Sequence, residues 1–281
     1  MQSKNILFLG FGDLARHTAA QLTGHRMVGV SRSAKPAAPG VVCVQGAADG
    51  LVVQELLARE TFDALVITLT PKAFTDADYA AAYGETLRAL LPLLHAKPPG
   101  LVVFVSSTGV YHQSDGGWVE EDSPVAPDTF SGRRLLEAEN LLRAGGLPHT
   151  VLRCAGIYGP GRDFLLRQVR EGKGGSGDYT NRIHVRDAAG FIAHLLQRHF
   201  AGEQVESLYL VCDSDPAPGT QVRLWLAERL GVDGGSLKPT PSERGGNRRC
   251  NNRRLLASGY RLLYPSYKEG YGALLDSGEL A

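Results

Sequence analysis

The stretch NILFLGFGDLA, Asn5 to Ala15, is a short apolar run that meets two glycines and passes at once into a helical pattern. Gly10-Phe11-Gly12-Asp13-Leu14-Ala15 matches G-x-G-x-x-G/A where a first strand would hand over to a first helix, the context that gives this spacing meaning. Glycine at 10 permits a tight turn, Gly12 leaves the backbone open to a pyrophosphate, and Ala15 lets the helix lie close to the strand. All six residues are therefore candidates for holding a dinucleotide. The competing reading is a tight turn with no ligand.

Outward from this loop the pattern repeats. Apolar runs at 27–31 (MVGVS), 41–44 (VVCV), 64–69 (ALVITL), 101–107 (LVVFVSS), 149–154 (HTVLRC) and 207–212 (SLYLVC) alternate with helical stretches such as GLVVQELLARE and ADYAAAYGETLRALLPLLHA. The runs are continuously apolar, as parallel strands covered on both faces should be. Strand and helix in alternation predict an α/β fold, a doubly wound parallel sheet of the Rossmann type. The rhythm loosens after Tyr158, where stretches rich in Gly, Pro and polar residues (172–181 and 233–251) separate shorter helical pieces. The expected organisation is a dinucleotide-binding domain over 1–158 and a mixed segment over 159–281 that completes the sheet and forms a small substrate lobe.

A chain of 281 residues can bury a full core without disulfides. Its four cysteines, Cys43, Cys154, Cys212 and Cys250, are scattered, which predicts reduced thiols, a cytoplasmic protein and no metal site. Thirty basic residues against 29 acidic ones give a net charge of +1, so the chain as a whole carries no footprint for nucleic acid or an anionic membrane. The arginine-rich run RGGNRRCNNRRLL, 244–256, lacks interleaved aromatics for base stacking, and no nucleic-acid partner is expected. No apolar stretch approaches the roughly 20 residues that cross a bilayer.

In this fold the choice between NAD and NADP falls about 20 residues beyond the glycines. Ser31-Arg32-Ser33 stands there with no carboxylate for the ribose hydroxyls of NAD, and Arg32 would face a 2′-phosphate. NADP is the expected cofactor, with NAD as the alternative; an ordinary surface arginine is the competing reading. Asp49 is either an N-cap or an adenine contact. Thr68, at the end of the fourth apolar run, is a further candidate beside the cofactor.

Three later stretches add a resemblance. Val105-Ser106-Ser107-Thr108-Gly109-Val110-Tyr111, Arg153-Cys154-Ala155-Gly156-Ile157-Tyr158-Gly159-Pro160-Gly161 and Asn181-Arg182-Ile183-His184-Val185-Arg186-Asp187 together resemble the extended short-chain dehydrogenase/reductase superfamily. Within it, the chain is similar to the NAD-dependent epimerase/dehydratase family and its smaller atypical members. Asn247-Arg248-Arg249, Gly259-Tyr260 and Tyr264-Pro265-Ser266-Tyr267 look like that atypical branch.

The resemblance implies a hydride transfer at a hydroxyl- or carbonyl-bearing carbon, with a sugar or nucleotide-sugar among the candidate substrates. It implies that Ser107, with Thr108 beside it, hydrogen-bonds the substrate oxygen, and that Tyr158 lies near the cofactor. The family's next motif is a tyrosine, three residues and a lysine, and its alignment puts Ser131 at the tyrosine and Leu135 at the lysine. A one-residue shift gives Phe130 and Arg134. Neither register supplies a side chain that titrates near neutral pH. Tyr111, Tyr158 and His112 are the candidate replacement acids, with packing or solvation as their plainer roles.

Arg162, Arg182 and Arg248 are candidates to grip a substrate phosphate or carboxylate, with solvated surface charge as the alternative. His184 is expected to link the lobes through hydrogen bonds and is a further candidate at the substrate, and Asp187 is expected to cap its helix. The helices at 77–95 and 131–144 resemble those of four-helix dimer contacts in the superfamily, so a homodimer is an expectation. The second functional reading is a catalytically degenerate NADP(H) sensor.

Overall fold

The computed structural model describes residues 2–241 and 246–278. Seven strands form the central sheet: β1 (Asn5–Leu9), β2 (Arg26–Ser31), β3 (Val41–Gln45), β4 (Ala64–Ile67), β5 (Leu101–Ser107), β6 (His149–Cys154) and β7 (Leu208–Val211). They lie side by side in the order β7-β6-β5-β4-β1-β2-β3 in one parallel sheet, so the doubly wound fold expected from the alternating runs is the fold observed. Strand order reverses around β1, whose Leu9 lies opposite Val30 of β2 on one side and Ile67 of β4 on the other. That reversal is where such sheets leave a crevice for ligands.

The apolar runs are strands because both faces are covered. Ile6 to Leu9, Val66, Ile67 and Val102 to Phe104 are fully buried, and each such side chain contributes about 1.5–3 kcal/mol to folding. β3 departs from this expectation: Val42 and Cys43 are exposed, because the strand has a neighbour on one side only and lies at the sheet's edge.

Helices α1 (Asp13–Ala19), α2 (Leu51–Arg59), α3 (Asp76–Tyr79), α4 (Thr86–Ala96) and α5 (Phe130–Ala144) connect the strands. A π-helical turn, Ala80–Glu85, joins α3 to α4, and the Thr86 hydroxyl donates to the Ala81 carbonyl across the widened turn. The later part of the chain adds α6 (Phe164–Arg170), α7 (Val185–Phe200), α8 (Gly219–Leu230), α9 (Arg253–Ala257) and α10 (Tyr267–Ser277). No helix among the described residues is long and apolar enough to cross a membrane.

The chain divides into two compact units that interleave in sequence. Met1–Val110, Pro127–Arg153 and Ala189–Tyr209 form the first; Tyr111–Ala126, Cys154–Ala188 and Leu210–Ala281 form the second. The second unit has its own core, in which Val222 and Leu226 of α8 and Tyr267, Tyr271 and Leu274 of α10 pack with Leu166, Val169 and Tyr158.

Candidate dinucleotide site and the residues around it

The first unit carries a cavity of about 390 Å³ lined by Gly10, Gly12, Ser31 to Ser33, Gly46 to Asp49 and Thr68 to Thr70, within the size range of small-molecule sites. Its floor is the turn after β1. Gly10 has φ +88°, and a Cβ there would stand 2.6 Å from the Thr68 carbonyl oxygen, so both conformation and space demand glycine. The Thr68 hydroxyl donates to the Gly10 carbonyl at 2.7 Å and fixes the turn against β4.

Gly12 is different. A Cβ at this position would meet nothing nearer than the Gly10 carbonyl at 3.8 Å, so no protein atom requires glycine there. The open approach fits a backbone kept bare for a ligand's phosphates. Phe11, expected at the cofactor, is turned inward: its ring is buried against Gly29 and its N–H donates to the Val30 carbonyl at 2.8 Å. Leu14 and Ala15 are buried under the turn. The Asp13 carboxylate pairs with His17 one helical turn on, at 3.2 Å.

Arg32, which also lines the cavity, donates from Nη2 to the Thr70 carbonyl at 3.0 Å, while Gln45 donates to the Arg32 carbonyl at 3.2 Å. Lys35 and Lys72 line the same cavity. Neither was singled out in the sequence, because each lies on a loop with no motif around it; only the folded chain brings three cations to one cavity. Asp49 does not cap α2: the N-cap is Gly50 with no side-chain bond, and the exposed Asp49 lines the cavity instead. Ala81, Ala82 and Thr86, from the π-helical turn and the start of α4, complete the wall.

The end of β5 carries two serines with different surroundings. Ser106 is buried and donates to Glu139 Oε1 at 2.6 Å. Glu139, at 0% exposure, is also bonded by Arg153, itself 2% exposed, through Nη2 at 2.7 Å and Nε at 3.2 Å. Ser107 is half-buried, and its oxygen accepts from the Gly109 N–H at 3.1 Å, closing the short turn Thr108–Val110. The Ser107 O–H hydrogen has no acceptor among the described residues.

Helix α5 is pinned against that turn. A Cβ on Gly132 would overlap the Gly109 carbonyl and stand 2.6 Å from Pro127 Cβ. Thr129 caps the helix, accepting from the Gly132 N–H at 3.1 Å, and Ser131 Oγ lies 3.2 Å from the Thr129 hydroxyl. Leu135 is buried. Arg134 is held bidentately by Asp76, at 2.8 Å through both Nε and Nη2, and bonds Glu137 at 3.0 Å. These two carboxylates raise the Arg134 pKa further. Phe130 packs with Phe74 and Tyr79.

In the second unit the nominated polar residues other than His112 and Arg162 are buried, and all of these but the Tyr158 hydroxyl are bonded to their own chain. The Tyr111 hydroxyl donates to the Glu120 carbonyl at 2.9 Å. Tyr158 stacks on Tyr271 with ring centroids 4.3 Å apart, its hydroxyl against Gly270, and burial drives its pKa far up. His184 accepts the Arg186 N–H at Nδ1, 3.1 Å, and packs against Tyr158 and Tyr264. Arg182 is buried, donates to the Thr180 carbonyl at 3.1 Å and lies 5.3 Å from the Tyr267 ring centroid. Arg248 is buried and donates to the Gln113 carbonyl at 2.9 Å. Arg162, half-buried, forms a bridge with Gly159.

The expected cap by Asp187 is not formed. Its carboxylate accepts from the backbone N–H groups of Leu263 (2.7 Å) and Tyr264 (2.9 Å) and ties down that loop. Within the run 244–256, Arg244 and Gly245 lie outside the described residues, and Arg254 pairs with Asp122 at 3.1 Å. No group of metal-ligating side chains occurs among the described residues.

No protein-family model matches the chain. It is 34% identical over 196 residues to Protein YeeZ of Escherichia coli strain K12, a match covering 66% of this chain, and it spans 63% of the length of the curated relatives it matches. A solved structure from Methylobacillus flagellatus, classed as an NAD-dependent epimerase/dehydratase, is 39% identical, covers 99% of both chains and superposes with a TM-score of 0.80. At lower identity the fold is shared with the DesIV double mutant, a dTDP-glucose 4,6-dehydratase from Streptomyces venezuelae solved with NAD (19%, TM-score 0.81, 98% and 96% of the two chains). It is likewise shared with the human epimerase family protein SDR39U1 solved with NADPH (22%, TM-score 0.76, 97% and 99%). The chain belongs to the NAD-dependent epimerase/dehydratase family.

Proposed function

We propose that the protein is an NADP(H)-binding enzyme of this family that works at a hydroxyl- or carbonyl-bearing carbon, with sugars and nucleotide-sugars as the first substrates to test. The observation that carries the reading is a pairing within one cavity. Gly12 is bare for no reason internal to the protein, and Arg32, Lys35 and Lys72 line the same cavity.

The bound cofactor would supply hydride exchange at its nicotinamide ring. Gly10, Gly12 and the first-turn N–H groups of Asp13 and Leu14 would hold its pyrophosphate, and Arg32 its 2′-phosphate, with Asp49 and Thr68 flanking the adenosine. Ser107 would donate its unused hydrogen to the substrate oxygen, with Thr108 beside it. The proton role falls outside α5, because Ser131 has no base partner, Leu135 is apolar and Arg134 is locked by two carboxylates. Four free cysteines support a reducing, cytoplasmic setting.

The test is a fluorescence titration with NADPH and NADH, repeated on Arg32→Ala. The reading expects NADPH to bind at least about tenfold tighter, roughly 1.4 kcal/mol, and the variant to lose that preference. Failure of both nucleotides to bind at high micromolar concentration overturns it. The environment of Ser131 and Leu135 also favours a second reading, a sensor that binds NADP(H) without turnover. Ser107→Ala separates the two: an enzyme loses turnover, whereas a sensor keeps its cofactor affinity and has no turnover to lose.

A further inference from the structure

Three of the second unit's arginines, Arg182, Arg248 and Arg254, donate to carbonyls or pair with carboxylates. Arg249 is held in another way. It sits in a two-residue strand, Arg249–Cys250, that pairs in parallel with Trp118–Val119. Its backbone N–H donates to the Gly117 carbonyl and its Nε to the Gly116 carbonyl, both at 2.8 Å. The guanidinium lies 5.0 Å from the Trp118 ring centroid and 4.9 Å from that of Tyr179. Asn247 locks this frame, accepting the Tyr179 N–H at its side-chain oxygen (2.9 Å) and the Gly116 N–H at its carbonyl (2.7 Å).

This arrangement orders the guanidinium and leaves its fork unused. The two terminal nitrogens of Arg249 have no partner among the described residues. The acidic groups that flank Trp118 in sequence are already engaged: Asp115 accepts the Gly117 N–H at 2.9 Å, and Glu120 accepts from Asn251 at 2.8 Å. A guanidinium fixed by two rings and a carbonyl has already lost the rotamer freedom that binding would otherwise remove. Its two outward nitrogens match the two oxygens of a carboxylate or phosphate. Beside it, Trp118 is 55% exposed, which leaves a broad apolar surface for a flat group.

We propose that Arg249, held between Trp118 and Tyr179, is an anion-binding site that takes a carboxylate or phosphate carried on a planar ring. The site lies wholly in the second unit, and its test contains no dinucleotide, so it stands or falls apart from the cofactor reading.

The experiment follows the two indole N–H resonances, Trp118 and Trp225, while the full-length protein is titrated with phenyl phosphate and, separately, with benzoate. Trp118→Phe assigns the resonances. The expected result is a saturable shift of the Trp118 signal, without one at Trp225, for at least one probe. The probe that saturates identifies phosphate or carboxylate as the group recognised. Arg249→Lys keeps the charge and removes the fork, and should weaken binding at least tenfold; Trp118→Leu, at a surface position, should weaken it severalfold should the lysine variant fold poorly. No saturation with either probe, equal shifts at both tryptophans, or unchanged affinity in a folded Arg249→Lys protein overturns the proposal.

Discussion

The cavity above the Gly10 turn and the buried polar cluster of the second unit both hold cations, but they hold them in opposite states. Arg32, Lys35 and Lys72 stand exposed around open space, with Arg32 anchored by its bond to the Thr70 carbonyl. Arg182, Arg248 and His184 are buried and already bonded to their own chain. A polar side chain can recognise a ligand only with the bonding capacity that the fold has left over. Among arginines this criterion separates Arg32 and Arg249 from Arg182 and Arg248, although all share one residue type.

The strongest way to break the contrast is to strip a partner from a fully satisfied group. Glu139 is such a group, receiving bonds from Ser106 and Arg153 in the core. Glu139→Gln leaves the buried Arg153 guanidinium without its countercharge, and removing one member of a buried pair costs about 3–5 kcal/mol. Urea unfolding should show a loss of that order. A loss under about 1 kcal/mol would mean that Arg153 finds another partner, because a group truly closed by its fold has none in reserve.

Asp213 is one exception inside the closed region, as the Tyr158 hydroxyl is another, and it sharpens the comparison through pH. It is 1% exposed, its Oδ1 accepts the Asp215 N–H at 3.2 Å, and its Oδ2 has no protein partner among the described residues. Burial outweighs the nearby Arg182 charge and lifts its pKa to about 7 from 3.8. The folded chain therefore holds a proton that the unfolded chain gives up between about pH 4 and 7. This contribution is complete below about pH 4 and is lost as pH rises through about 7, by at most about 4 kcal/mol. Asp187, also raised by burial, acts in the same direction. His25 and His199, lowered chiefly by burial, act in the opposite one, since stability is lost as pH falls below their unfolded value of 6.5. The difference between wild type and Asp213→Asn isolates the one group: thermal unfolding across pH 5 to 8 should show wild type losing stability relative to the variant as pH rises. Parallel curves would mean that the carboxyl is ionised throughout.

What could be read from the chain divides along the same line. The seven strands and the glycine turn were legible because they depend on backbone and on local pattern: continuous apolar runs need two covered faces, and Gly10 needs a φ that other residues avoid. Val42 and Cys43 misled because a run of valines does not say whether its strand has one neighbour or two. Lys35, Lys72 and Arg249 were not legible as site residues because their meaning lies in what surrounds them, three cations lining one cavity in one case and two rings from distant segments in the other. Arg182, His184 and Asp187 stood out in a motif, yet that motif has a structural reason of its own, the tie from Asp187 to the 263–264 backbone.

The finest test sets two glycines two residues apart against each other. Gly10→Ala puts a Cβ 2.6 Å from the Thr68 carbonyl at φ +88°, so backbone strain and overlap should cost about 1–3 kcal/mol of stability. Gly12→Ala meets no protein atom closer than 3.8 Å and should leave unfolding within about 0.5 kcal/mol of wild type. Its methyl group would stand instead where the phosphates approach, and NADPH affinity should fall at least about tenfold, roughly 1.4 kcal/mol. Chemical unfolding and nucleotide titration on both variants give the full comparison. A Gly12→Ala protein with wild-type stability and weakened binding means that the glycine is kept for a ligand. Wild-type stability with unchanged binding would mean that the turn after β1 serves the fold alone, and the cations around the cavity would then need another anion to explain them.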